Sequence, residues 1–159
     1  MKIVFLCEGN ICRSPTAEAV FLSLLASSPL PKEEFVVSSR ALIRETTGQG
    51  IHGKAAAVLK KHNIPLPEHK AKQLTRQEYD SADLILYMDQ YNGVLLKRLF
   101  FLPKLPAKAH LLLEYAKEKR DILDPYPDGD FEKAYEDIEA GCKGLIKDFV
   151  DRLNLGICF

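Results

Sequence analysis

Two kinds of apolar pattern alternate along the chain. The first is short and nearly continuous: Lys2-Ile3-Val4-Phe5-Leu6 ahead of Cys7, Phe35-Val36-Val37-Ser38-Ser39, Asp83-Leu84-Ile85-Leu86-Tyr87-Met88, and Ala109 to Leu113. Apolar runs this short predict strands, and the third is continuous enough to be covered on both faces. The second pattern has helical spacing. Ala17, Val20, Phe21, Leu24 and Leu25 predict a helix that opens at Ser14-Pro15 and ends near Ser27-Ser28-Pro29. The Ala/Leu/Lys-rich positions 53–62 predict a second, stopped by Asn63 and Pro65, and a short helical turn is expected from Thr75. Asp89 is placed to begin another through Val94, Leu95 and Phe100, with Pro103 and Pro106 in the connection that follows. Phe131, Ala134, Tyr135, Ile138, Cys142, Leu145, Ile146, Phe149 and Val150 predict a long last helix in spite of Gly141 and Gly144. Residues 44–50 and 124–129 are polar and turn-rich, hence loops.

Strands that alternate with helices predict an α/β fold of three layers, a four-stranded parallel sheet with right-handed crossovers and helices on both faces. Ligands in such sheets bind beyond the carboxyl ends of the strands, and the loop after the first strand lies at such an end. The 159 residues, 47% of them hydrophobic, predict a single domain over residues 1–159. Lys plus Arg balances Asp plus Glu at 22 each, which removes the charge argument for nucleic acid or an anionic membrane. No apolar run approaches the ~20 residues needed to span a bilayer, and positions 1–7 do not make a signal peptide, so a cytoplasmic location is expected. Cysteines at 7, 12, 142 and 158 fit no disulfide framework, and Cys158 stands too near the end for a prenylation box.

The loop Cys7-Glu8-Gly9-Asn10-Ile11-Cys12-Arg13-Ser14-Pro15 adds chemistry to this frame. Amides of a tight loop and of a first helical turn lack intrahelical acceptors, so they face an anion held in the concavity. Those donors and Arg13 favour thiolate over thiol at Cys7. The Arg13 guanidinium is planar and permanently charged, with donors spaced for two phosphoryl oxygens. Cys-x5-Arg is thus a constellation for phosphoryl transfer. Other meanings of the same residues are a buried strand-end thiol at Cys7, or a zinc site on Cys7 and Cys12, although no second Cys or His pair follows. The Gly-x4-Gly-Lys-Ser/Thr nucleotide loop is absent.

This loop resembles the signature of the low-molecular-weight protein tyrosine phosphatase family, and the similarity runs nearly to the C-terminus. The resemblance implies strand order 2-1-3-4 and a phosphotyrosine protein phosphatase that works through a phosphocysteine, needs no metal or cofactor, and releases inorganic phosphate. Cys7 would be the nucleophile and Glu8, Gly9, Asn10, Ile11, Cys12 and Arg13 the phosphate-binding loop. Expelling a phenolate requires a proton that Arg13 cannot give, and Asp124 in Asp-Pro-Tyr resembles the family's general acid. Asp-Pro taken alone is a turn starter. Asn10, Ser14, Ser39 and His69 match the loop's polar support, and Asn tolerates the left-handed conformation a tight anion loop often needs. Ile11, Glu45, Asp89 and Tyr126 fall at pocket-wall positions, Asp89 as an orienting group, and Asn92 lies close by. Cys12 is a redox candidate through a reversible disulfide with Cys7, or else a small buried thiol in the loop wall.

Three departures from the family pattern bear on substrate. Ser39-Arg40-Ala41-Leu42 replaces Ser-Ala-Gly-Thr, Glu45 stands near an expected aromatic, and Pro127 takes the place of a second aromatic after Tyr126. Glu8 at the rim would repel acidic peptides. Protein-arginine phosphatase is the first alternative, although Ile11 is apolar where a hydroxyl would better meet a guanidinium. Arsenate reductase needs a cysteine relay, and no cysteine falls between positions 13 and 141. A silent phosphopeptide-binding module is the third. The expected partners are phosphotyrosine-containing proteins, with no nucleic acid and no membrane, and the chain is expected to be a monomer or weak dimer.

Overall fold

Strands β1 (Lys2–Cys7), β2 (Val36–Ala41), β3 (Leu84–Tyr87) and β4 (Ala109–Leu111) form one parallel sheet in the order β2-β1-β3-β4. The computed structural model describes residues 1–157, and Cys158 lies outside them. Cys7 stands opposite Ala41 and Ile3 opposite Leu84, so β1 is paired on both sides. The described residues also form five α-helices: α1 (Arg13–Ala26), α2 (Gly53–Lys61), α3 (Arg76–Ser81), α4 (Gln90–Phe100) and α5 (Phe131–Asn154).

Alternation along β1 divides the core. Ile3, Phe5 and Cys7 pack with residues of α1 and α5 and with Leu59 of α2, whereas Val4 and Leu6 pack with Tyr79 of α3 and Leu96 of α4. Helices therefore cover both faces, as the strand pattern predicts. Phe5, Phe21 and Phe149 interlock at tilted and edge-on angles and are 0–1% exposed, each burial contributing about 1.5–3 kcal/mol.

The predicted fourth strand is shorter in the structure. β4 ends at Leu111, and Leu112–Ala116 turns into a 3-10 helix. Leu112 and Leu113 are apolar because α5 covers them, not because they continue the ladder. The glycines of α5 explain how: a Cβ at Gly141 would come 2.6 Å from Leu112 Cγ, and one at Gly144 only 2.0 Å from the Tyr115 carbonyl oxygen. They weaken the helix locally and seat it on the turn. Ile146 and Val150 of α5 are only partly buried against the same core. Among the described residues, no helix is long and apolar enough to cross a membrane.

Candidate active site

The loop between β1 and α1 is held by its own polar side chains. Asn10 is fully buried and left-handed at φ 55°. Its Nδ2 donates to Ser14 Oγ at 2.8 Å and Ser39 Oγ at 3.0 Å, and its Oδ1 accepts from the Lys72 amide at 3.2 Å. The Asn10 carbonyl lies 2.7 Å from His69 Nε2. Ser39 Oγ in turn donates to Glu18 Oε2 at 2.5 Å. The left-handed backbone costs about 1–2 kcal/mol, which these hydrogen bonds, worth about 1 kcal/mol each, offset. The loop is also stitched outward, its Ile11 carbonyl accepting from the His52 amide and its Glu8 carbonyl from the amides of Leu42 and Ile43.

Cys7 ends β1 at the mouth of this loop, buried at 3% exposure. The Asn10 amide donates to its Sγ at 3.2 Å, and Ser14 Oγ lies 3.0 Å away. α1 begins without a side-chain cap and without an acidic residue in its first turn, which leaves its positive end free for an anion. Arg13, 2% exposed, donates through Nη1 to Asp89 Oδ2 at 2.5 Å and to the Ile122 carbonyl at 2.8 Å, while Nη2 lies 3.2 Å from Asp124 Oδ2. Burial pulls this guanidinium down, but its interactions with Cys7, Asp124 and Asp89 outweigh burial and hold Arg13 above its ordinary value. Cys12 behaves oppositely to a nucleophile: burial, then Cys7 and Asp124, push its thiol up to about 12. Cys7, Cys12 and Cys142 are all free and buried.

A pocket of about 260 Å³ opens over the loop, lined by Cys7, Glu8, Gly9, Ile11, Cys12, Arg13, Ile43, Thr46, Gln49, Asp124 and Tyr126. Asp124 is 40% exposed, and its Oδ1 accepts from the Tyr126 amide at 3.1 Å. The Tyr126 ring stands edge-on to His52, which stacks on Phe131. Two expected wall residues lie elsewhere. Glu45 is turned into its own loop, accepting from the Arg44 amide, and Asp89 sits behind Arg13, where its other oxygen caps α4 through the Asn92 amide at 2.7 Å. Ile43, Thr46 and Gln49 form that wall instead. Sequence reasoning passed over them, although their loop leaves the carboxyl end of β2 beside β1, the place where a parallel sheet collects ligand contacts. The approach is close: a Cβ at Gly9 would meet Thr46 Cγ2 at 3.2 Å. Ser14, Ser39 and His69 all converge on Asn10. The Arg40 departure is absorbed away from the pocket by Glu78 of α3 at 2.8–2.9 Å.

A sulfur, a fixed guanidinium and a carboxyl group thus share one pocket, a set suited to substitution at a tetrahedral oxyanion with proton transfer. The family model described as low molecular weight phosphotyrosine protein phosphatase matches residues 2–154. The low molecular weight phosphotyrosine protein phosphatase of Pongo abelii is 36% identical over 150 residues, 92% of this chain and 94% of that protein. The crystal structure of YfkJ from Bacillus subtilis aligns at a TM-score of 0.88 with 29% identity, covering 96% of both chains. The Drosophila arginine phosphatase DARP aligns at 0.83 with 28% identity, covering 94% of this chain and 98% of that one.

Proposed function

Since the chain belongs to the low molecular weight phosphotyrosine protein phosphatase family, we propose that Cys7, Arg13 and Asp124 carry out its phosphate-monoester hydrolysis. Cys7 Sγ attacks phosphorus as the bond to the ester oxygen breaks, and Asp124 gives that oxygen its proton. Water then forms the new P–O bond, the S–P bond breaks, and the Asp124 carboxylate takes the proton of the water. Arg13 and the loop amides hold the equatorial oxygens through both steps. The observation that carries this reading is the convergence of Cys7, Arg13 and Asp124 on one pocket, with Arg13 bridging towards the acid at 3.2 Å.

Phosphotyrosine-bearing proteins fit the walls best. Ile11, Ile43 and Tyr126 offer apolar and aromatic surface to a phenyl ring, whose burial and stacking supply selectivity over phosphoserine. One observation favours protein-bound phosphoarginine as a second reading. Thr46 lines the pocket, and its Oγ1 is buried with no protein partner among the described residues, so turning it into the pocket would give a guanidinium the hydroxyl that Ile11 does not and break no hydrogen bond. Arsenate reduction is disfavoured because Cys142 is fully buried against the Ala17 carbonyl of α1.

Steady-state assays with phosphotyrosine, phosphoserine and phosphoarginine peptides in chelator test the proposal. Phosphotyrosine turnover that vanishes in Cys7→Ser is the expected result. Exclusive turnover of phosphoarginine would transfer the assignment to the second substrate class, and full activity in Cys7→Ser would remove the nucleophile.

A further inference from the structure

The loop that carries Asp124 is tied at its entry by charges that the reaction scheme does not use. Arg120 reaches back to α5, where its Nη1 and Nη2 donate to Asp137 Oδ2 and Oδ1, both at 2.8 Å. Lys133 Nζ donates to the same Oδ1 at 2.9 Å. Asp137 is 5% exposed, and with Arg13 it is one of two charged side chains buried among the described residues. A two-toothed guanidinium–carboxylate pair fixes direction as well as distance. Hydrogen bonds from Arg120, then from Lys133, outweigh burial and hold the Asp137 carboxyl below the usual range.

From this clamp the chain runs directly to the acid. Asp121 Oδ1 accepts from the Gln90 amide at the start of α4 at 3.0 Å. Ile122, fully buried, donates its amide to the Met88 carbonyl at 2.9 Å and offers its own carbonyl to Arg13 Nη1 at 2.8 Å. Asp124 follows. The loop's far end is fixed to the same helix, because Asp130 caps α5 by accepting from the Lys133 amide at 2.9 Å. Entry and exit of the acid loop are therefore both anchored on the first turns of α5, the entry through Arg120 and Asp137.

We propose that Arg120 and Asp137 are positioning residues for the general acid, setting the placement of Asp124 against the leaving oxygen. The inference rests on the assignment of Asp124 as that acid. A pair that merely glued α5 to the sheet would act differently: its loss would lower the amount of folded enzyme and slow all esters by one factor. A pair that places the acid acts in proportion to the leaving group's need for a proton.

The test measures kcat/KM, which reports the first transfer, for phenyl phosphate and p-nitrophenyl phosphate in wild type, Arg120→Ala, Arg120→Lys, Asp124→Asn and the double variant Arg120→Ala/Asp124→Asn. The ratio between the two esters does not depend on the folded fraction. In Arg120→Ala the p-nitrophenyl preference is expected to rise about tenfold, inside the ~10²–10⁴-fold that general acids supply. Arg120→Lys, which keeps the charge but not the fork, is expected to fall between that variant and wild type. The double variant is expected to match Asp124→Asn alone. An unchanged ratio in Arg120→Ala alongside a raised ratio in Asp124→Asn overturns the clamp and leaves the acid assignment standing. An unchanged ratio in Asp124→Asn overturns the acid assignment, and the proposal with it.

Discussion

The phosphate loop bonds its supporting polar side chains in the interior, with Asn10 and Ser14 fully buried and Arg13 nearly so, whereas across the pocket Asp124 is 40% and Tyr126 55% exposed. Asn10 alone engages Ser14, Ser39, His69 and Lys72, while among the described residues Asp124 has the Tyr126 amide and an ion pair with Arg13. The difference follows from the task. The group being transferred must meet its donors in one fixed geometry, so the loop that holds it is ordered in advance. A group that gives a proton, the role proposed for Asp124, must admit an ester of varying shape, so its loop is more open, anchored at its ends and touched between them by exposed contacts such as Lys54–Asp128 and Tyr126–His52.

The contrast can be broken most severely from the open side. Asp124→Asn is expected to lower kcat/KM for phosphotyrosine about 10²–10³-fold with the fold intact, as steady-state kinetics and circular dichroism would show. On the closed side, Asn10→Ala leaves buried hydroxyls without their donor in a left-handed backbone. A loss of about 2–4 kcal/mol is expected in urea unfolding, accompanied by weaker phosphate binding.

Acid probes the same closed half through the β2–α3 seam. Burial raises the Glu78 carboxyl, but hydrogen bonds from Arg40 and the Thr75 amide prevail and hold it at about 2, against an ordinary 4.5. A carboxyl held low contributes stability that is complete above pH 4.5 and is lost as the pH falls towards 2. Allowing for its partial exposure, wild type is expected to exceed Glu78→Gln by on the order of 2 kcal/mol at neutral pH, and the gap to close in acid, as urea unfolding across pH would reveal. The smallest effect belongs to the open wall. Tyr126→Ala is expected to raise KM for phosphotyrosine peptides by about fivefold, near 1 kcal/mol of stacking, with kcat within a factor of two.

The same division decides what the sequence discloses. Cys7 to Ser14 are contiguous, and each residue's chemistry is tied to its place between a strand and a helix, so the loop could be read from its letters. The two central strands, β1 and β3, were equally visible, because burial on both faces leaves almost unbroken apolar runs. The wall of Ile43, Thr46 and Gln49 could not be read this way, since nothing in a polar loop says which side chains turn inward. Leu112 and Leu113 misled because burial against a helix and burial within a sheet leave the same apolar trace. Arg120 and Asp137, 17 residues apart, belong to no motif, and only the fold pairs them.

The seating of α5 on the 3-10 turn carries a consequence for how this protein tolerates mutation. At Gly144 the obstacle to any side chain is the backbone of Tyr115, which cannot swing aside as a neighbouring rotamer could. Even alanine there must pry the helix from the turn, and with it the platform on which the acid loop is mounted. A survey of variants scored by activity would therefore find intolerance at Gly144 comparable to that of the catalytic groups, although this glycine touches no substrate. Its signature would be a loss of protein rather than of rate, recoverable at low temperature where Cys7→Ser would not recover.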